Sequence, residues 1–74
     1  MNQLLIDNLH ALMDQNKIAK SAKARAKYLA QYCDDPADEI ELFLLGEGEV
    51  PSKGFLKKMA DFFEVDIYWL AGKL

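Results

Sequence analysis

The sequence predicts an all-α fold, a compact bundle of five helices in a single domain over residues 1–74. Two observations carry this prediction. Apolar residues recur at helical spacing through most of the chain, and no segment shows the apolar–polar alternation typical of a strand. The short links between these segments are rich in Gly, Pro, Asp and Ser, which commonly begin or end helices.

Length and charge narrow the class of protein. With 74 residues, 51% of them apolar, the chain is expected to form one globular domain. The net charge of −3 argues against a domain that coats nucleic acid without specificity. No apolar run approaches the roughly 18 residues of a membrane span, and no secretory signal is visible. The single cysteine cannot form an internal disulfide, so we expect a cytoplasmic protein without membrane association.

The first predicted helix covers residues 2–15. Its apolar positions are spaced i, i+4, i+7 and i+8, which places them on one face: Leu5, Leu9, Leu12 and Met13. His10 is the only histidine, and no second ligand lies at metal-binding spacing. We therefore expect His10 at the surface or at the boundary of the core, and we expect no metal site.

The second predicted helix runs from about residue 21 to residue 33. It overlaps a segment, residues 17–27, that contains five basic residues and no acid. This pattern is typical of a stripe that contacts DNA phosphates, formed here by Lys20, Lys23, Arg25 and Lys27. The alternative is a solvated face whose cations balance the acidic residues further along the chain.

A tight turn, Asp34-Asp35-Pro36, precedes the third predicted helix, residues 36–45. Asp35 is expected to be its N-cap, and Gly46 is expected to end it. Helix, turn and helix together suggest a helix-turn-helix motif. With Ile40 and Phe43 facing inward, a recognition or partner-binding face remains on the outside, formed by Ala37, Asp38, Glu41, Leu42 and Leu45.

The charge of this region is unusual for a helix that reads DNA. Residues 34–49 contain seven acids and no base. Acids in a first helical turn complement the helix dipole, which explains Asp34, Asp35 and Asp38 but not the later glutamates. Base edges are usually read by Arg, Lys, Asn, Gln, Ser or Thr, and none of these occupies the predicted face.

The fourth predicted helix spans about residues 53–64, with Ser52 as its N-cap. Its apolar stripe is expected to be core: Phe55, Leu56, Met59, Phe62 and Phe63.

The fifth predicted helix is short. It extends from Ile67 to Ala71, is capped by Asp66 and ends at Gly72. Trp69 is the largest apolar side chain of the sequence, so we expect it to fill the core. Its expected neighbours are Phe62 and Leu9.

The last third of the chain resembles the fourth and fifth helices of lambda-repressor-like (Cro/CI, XRE-type) helix-turn-helix domains. The residues that carry the resemblance are Gly46, Pro51, Leu56, Lys58-Met59-Ala60, Val65 and Trp69-Leu70, with Leu29-Ala30 in the second helix. Asp34 and Asp35 depart from the family, which usually has a glycine and an apolar residue in the turn. Ala26 stands where the family often has a phosphate-binding glutamine.

The resemblance implies a small, phage-like transcriptional regulator that binds DNA, forms a homodimer and uses its third helix for recognition. The alternative is a helix-turn-helix domain that binds a basic protein through the acidic and apolar third helix, as an antirepressor or DNA mimic would. An enzyme is not expected, because the sequence shows no nucleophile–base pair, metal cluster or phosphate loop. No cofactor is expected either.

Overall fold

The computed structural model describes residues 3–72, and within this range it contains five helices and no strand. The helices are α1 (Gln3–Gln15), α2 (Ala22–Ala30), α3 (Ala37–Leu44), α4 (Phe55–Phe63) and α5 (Ile67–Leu70). The all-α prediction and the number of helices are therefore confirmed. The predicted start of the first helix at residue 2 lies outside the described residues.

The predicted apolar stripe of α1 is confirmed, because Leu5, Leu9, Leu12 and Met13 are all buried. The helix ends without a glycine. Lys17 adopts a left-handed backbone (φ 56°), and its amide donates to the carbonyl of Asp14 at 3.2 Å. The next amide, that of Ile18, donates to the carbonyl of Met13 at 2.9 Å. This pair of hydrogen bonds reverses the chain, and Ile18, within the link to α2, is buried.

Helix α2 is shorter than predicted. Ser21 is its N-cap, and the Ser21 hydroxyl oxygen accepts a hydrogen bond from the amide of Ala24 at 3.1 Å. The helix ends at Ala30 because the amides of Gln31 and Tyr32 bond to carbonyls three residues back, which tightens the last turn. Lys20 therefore lies in the link before α2, outside the helix.

The predicted N-caps of the third and fourth helices are wrong. Pro36, with an extended backbone, occupies the cap position of α3, so the helix covers Ala37–Leu44 instead of 36–45. Helix α4 follows Gly54, which likewise provides no side-chain cap. The two expected caps bond each other instead, because the Ser52 hydroxyl donates to the Asp35 carboxylate at 3.0 Å. This contact ties the α2–α3 turn to the segment before α4.

The predicted glycine turn after α3 and the predicted N-cap of α5 are confirmed. Gly46 has a left-handed backbone (φ 78°) and donates to the carbonyl of Phe43, while the amide of Glu47 donates to the carbonyl of Leu42. At the start of α5, the Asp66 carboxylate accepts from the amides of Tyr68 and Trp69. Only glycine reaches the backbone of Gly46 without strain, so this turn is encoded locally.

The core is formed by buried residues of all five helices and of the link between α1 and α2. Ile40 and Phe43 face inward as predicted, and the rings of Phe43 and Phe55 meet edge to face with centroids 5.7 Å apart. Met59 is buried beside them. Within residues 3–72 no helix has the length and apolar character needed to cross a membrane.

The prediction that Trp69 fills the core is wrong. Trp69 is 41% exposed, whereas its neighbour Leu70 is fully buried. Adjacent residues are rotated by 100° on a helix, and this short helix presents Leu70 to the core and Trp69 toward solvent. The Asn8 side chain fixes this orientation by donating to the carbonyls of Trp69 and Leu70 at 3.1 and 3.2 Å. Phe62, the other expected neighbour, is only half-buried.

These positions predict losses of stability of different size for two adjacent substitutions. Leu70→Ala should lower the free energy of unfolding by about 2–5 kcal/mol, because it leaves a cavity in the core. Trp69→Ala removes a partly exposed ring and should cost clearly less. Urea unfolding of both variants followed by circular dichroism checks this, and a larger loss of stability for Trp69→Ala would contradict the orientation of α5.

Candidate functional site

The outer surface of α3 is the first candidate site, and we call Ala37, Asp38, Glu41, Leu42 and Leu45 the α3 face. Leu42 and Leu45 are 48% and 51% exposed. Asp38 is exposed, whereas Ala37 and Glu41 are half-buried. The structure thus brings the predicted residues together on one surface, with apolar and acidic groups side by side.

A shallow groove of about 260 Å³ runs beside this face. Leu42 lies in its lining, together with Val50 and Pro51 from the loop before α4. Gly48 brings this loop against the helix, since a Cβ atom there would lie 3.2 Å from the Cβ of Leu42. Glu39 and Glu49 also line the groove, so acidic residues stand beside its apolar ones.

Three of the seven acids of residues 34–49 have hydrogen-bond partners, among them Asp38, whose carboxylate accepts from the amide of Glu39 at 3.0 Å. Asp35 accepts from Ser52, and Asp34 pairs with Lys58 of α4 at 2.8 Å. The hydrogen bond and charge of Lys58 lower the pKa of Asp34, and the same contact raises the pKa of Lys58. In the described part of the chain the other acids form no ion pair. The α3 face and its loop therefore present uncompensated negative charge.

Only three of the four residues predicted to form the cation stripe are exposed. Lys20, Lys23 and Lys27 are exposed, and none of them forms an ion pair with a residue between 3 and 72. Lys23 and Lys27 lie one turn apart on α2, while Lys20 lies in the preceding link beside Asp14 and Lys17.

Arg25 is not part of this stripe, and its predicted role as a phosphate contact is corrected. Its side chain is buried, with the residue only 6% exposed. The guanidinium donates to the carbonyl of Ile18 at 3.1 Å, to His10 at 2.6 Å and to the carboxylate of Asp14. These contacts use the guanidinium fork inside the protein, so it cannot reach a phosphate without breaking them.

His10 extends this network to the third helix. Arg25 can only donate, so the Nδ1 atom of His10 must accept, and the imidazole proton resides on Nε2. Nε2 then donates to the carbonyl of Leu44 at 3.2 Å. This carbonyl belongs to the last turn of α3, where helix carbonyls lack intrahelical partners. The prediction of a boundary histidine is confirmed by its half-buried position.

A second candidate site was not expected from the sequence. Tyr28 and Tyr32 of the α2 region contact Phe62, and Phe63 lies against Phe62 with ring centroids 4.9 Å apart. The apolar stripe of α4 predicts both phenylalanines in the core, but they are half-buried. The spacing of Tyr28 and Tyr32, one helical turn apart, was the local sign of a paired aromatic surface.

The side chains of residues 3–72 include no group of three or more His, Cys, Asp or Glu placed to hold a metal ion. Cys33 is half-buried, and its thiol donates to the carbonyl of Leu29 at 3.4 Å. The described residues present three distinct surfaces: an acidic and apolar helix face, a lysine stripe and an aromatic cluster.

The contrast between Arg25 and Lys23 can be tested directly. Arg25→Gln should lower the free energy of unfolding by about 1–3 kcal/mol, because it leaves buried acceptors without a donor. Lys23→Gln removes the same charge from the same helix at an exposed position and should change stability by less than about 0.5 kcal/mol. Thermal and urea unfolding measure both. Equal stability of the two variants would show that the Arg25 network contributes nothing.

Comparison of the chain with protein-family models, with curated proteins and with solved structures gave no match. The candidate sites therefore rest on the geometry and charge of this chain alone.

Proposed function

We propose that this chain is a helix-turn-helix domain of the lambda-repressor-like type that binds a basic protein partner through the α3 face. The observation that carries the proposal is the pairing of two half-exposed leucines with uncompensated acids on one helix. In this proposal α2, the turn at residues 31–36 and α3 form the motif. The protein acts in regulation as an antirepressor or DNA mimic.

Electrostatics favours protein over DNA at this face. Two like charges about 6 Å apart repel by about 0.7 kcal/mol even in bulk water, and more where water is excluded. A duplex against α3 would place phosphates near Asp38 and Glu41, with Glu47 and Glu49 in the adjoining loop. A cationic protein surface meets the same residues with attraction, which raises the association rate.

The leucines supply the apolar part of the proposed interface. Full burial of a leucine is worth about 1.5–3 kcal/mol, so covering the exposed half of Leu42 or Leu45 contributes about 1 kcal/mol. Apolar groups surrounded by charge are the usual arrangement at the centre of a protein interface. The groove beside Leu42 gives the partner a concave surface for an apolar side chain.

A cationic amphipathic helical peptide of Leu and Lys tests this proposal. Its addition should shift the amide resonances of α3 and of residues 46–51 in an NMR titration. Leu42→Ser should weaken binding about fivefold, as expected when about 1 kcal/mol of apolar burial is removed. Leu4→Ser is the matched control, because Leu4 is a similarly exposed leucine on α1.

Charge is tested by the double change Asp38→Asn with Glu41→Gln, which alters shape very little. The peptide should then associate more slowly at low salt, and the difference should shrink as salt is added. An analogous peptide with Glu in place of Lys should not bind. Shifts that avoid α3, or equal weakening in Leu4→Ser and Leu42→Ser, would refute the α3 face as the binding surface.

DNA binding by a homodimer is the second candidate function, and the exposed lysines favour it. Lys20, Lys23 and Lys27 project into solvent without ion-pair partners in the described chain, as phosphate contacts require. Three such contacts on an acidic domain would give weak binding with a strong dependence on salt.

A mobility-shift series with random duplex DNA at several salt concentrations examines this candidate. If DNA is the partner, Lys23→Gln with Lys27→Gln should reduce the slope of log affinity against log salt by about 0.9 for each lysine that binds a phosphate. Lys53→Gln, an exposed lysine outside the stripe, is the control. Salt-dependent binding that the double variant abolishes, together with no peptide binding, would replace the protein-partner proposal.

A further inference from the structure

The aromatic cluster borders an open pocket of about 240 Å³ on the side of the bundle where α1 ends and α4 ends. We call this the aromatic pocket, and its lining is Asn16, Ile18, Tyr28, Phe62, Phe63 and Glu64. Its volume is below the roughly 300–1,000 Å³ of pockets for drug-sized ligands, so it suits a small molecule or a single head group.

Three aromatic rings line this pocket at steep angles to one another. The ring of Phe62 makes an angle of 64° with Tyr28 at a centroid distance of 6.1 Å and 79° with Phe63 at 4.9 Å. Tyr32 stacks on Phe62 with ring centroids 4.6 Å apart. This contact restrains the Phe62 ring, although Tyr32 itself does not line the pocket. These ring pairs form one cluster, and three of its residues, Tyr28, Phe62 and Phe63, line the pocket together.

The polar groups of the lining are acceptors. Asn16 uses its amide nitrogen to donate to the carbonyl of Leu12 at 2.7 Å, which leaves its side-chain oxygen as a free acceptor. Glu64 contributes a carboxylate that forms no ion pair within residues 3–72. No Lys or Arg is in the lining. The neighbouring hydroxyl of Tyr32 raises the pKa of Tyr28 by hydrogen bonding, so the Tyr28 phenol is neutral at physiological pH.

A backbone turn after α4 positions Glu64 beside the aromatic residues of the pocket. Glu64 adopts a left-handed conformation (φ 57°) directly after α4, and the amide of Val65 closes the turn on the carbonyl of Ala60 at 3.0 Å. A non-glycine residue in this conformation costs about 1–2 kcal/mol. The turn places the negative charge of Glu64 next to Phe63. A carboxylate at an exposed position within the helix would carry no such backbone strain.

We propose that the aromatic pocket binds a small organic cation with a quaternary or methylated ammonium head group. The rings attract the cation through their π-electrons, and the Glu64 carboxylate supplies the opposite charge at the rim. A metal ion or an anion does not fit this chemistry, because the lining offers one carboxylate and no cation. This inference concerns a surface separate from the α3 face and does not depend on the proposed protein partner.

Choline is the probe for this site, and its neutral isostere dimethylbutanol, with a tert-butyl group in place of trimethylammonium, is the matched ligand control. Choline should produce saturable NMR shifts at Phe62, Phe63 and Glu64, and dimethylbutanol should not. A peptide that carries trimethyl-lysine distinguishes a modified protein from a free solute as the natural source of the head group.

Two variants make the assignment specific. Glu64→Gln should weaken choline binding about fivefold, as expected for a partly screened ion pair. Glu47→Gln makes the same change at an exposed acid outside the pocket and should have no effect. Phe63→Leu should weaken binding at least twofold, whereas Tyr68→Leu, which removes an exposed ring elsewhere, should not.

Equal shifts with choline and dimethylbutanol would reduce the pocket to a general apolar depression and overturn the proposal. The same conclusion follows if choline gives no saturable shift, or if Glu47→Gln weakens binding as much as Glu64→Gln. Should Phe63→Leu fail to fold, the exposed position of Glu64 keeps the charge test decisive.

Discussion

The buried guanidinium of Arg25 is the interaction on which the arrangement of the first three helices depends. It gathers the side chains of His10 and Asp14 on α1 and the carbonyls of the α1–α2 link around one residue of α2. His10 links this network to the last turn of α3 by a hydrogen bond to the carbonyl of Leu44. A buried charge is tolerated only when paired and fully hydrogen-bonded, and no buried side-chain polar atom of the described residues lacks a partner.

This network also decides how charge is distributed over the surface. Arg25 is the one basic residue of the 17–27 segment that is drawn inside, so the stripe that faces solvent is formed by lysines alone. Among the seven acids of residues 34–49, only Asp34 is neutralised by an ion pair within the described chain. The lysine stripe therefore carries one charge fewer than the 17–27 segment, and the acids around α3 other than Asp34 have no cation paired with them within the described chain. That balance is the physical basis for preferring a cationic partner at α3.

Several turns of this fold are set by long-range contacts in preference to local propensity. Asp35 and Ser52 are both good N-cap residues, yet they bond each other because α4 approaches the α2–α3 turn. Helix α1 and helix α4 both end in left-handed residues that are not glycine, Lys17 and Glu64. Each costs about 1–2 kcal/mol of backbone strain, which the packing of the flanking helices must offset. The link to α2 and the rim of the aromatic pocket are built on these two turns.

The sequence by itself determined the helices, the apolar stripe of α1, the inward residues of α3 and the exposure of Leu42 and Leu45. These features follow from the 3.6-residue period and from local caps such as Gly46, which need only neighbouring residues. The tertiary structure decided the burial of Arg25, the exposure of Trp69 and the meeting of two tyrosines with two phenylalanines at the aromatic pocket. Each of these depends on which helices become neighbours. Residue size and charge do not encode that choice, because a large ring or a cation can be buried or exposed according to the partners that packing brings to it.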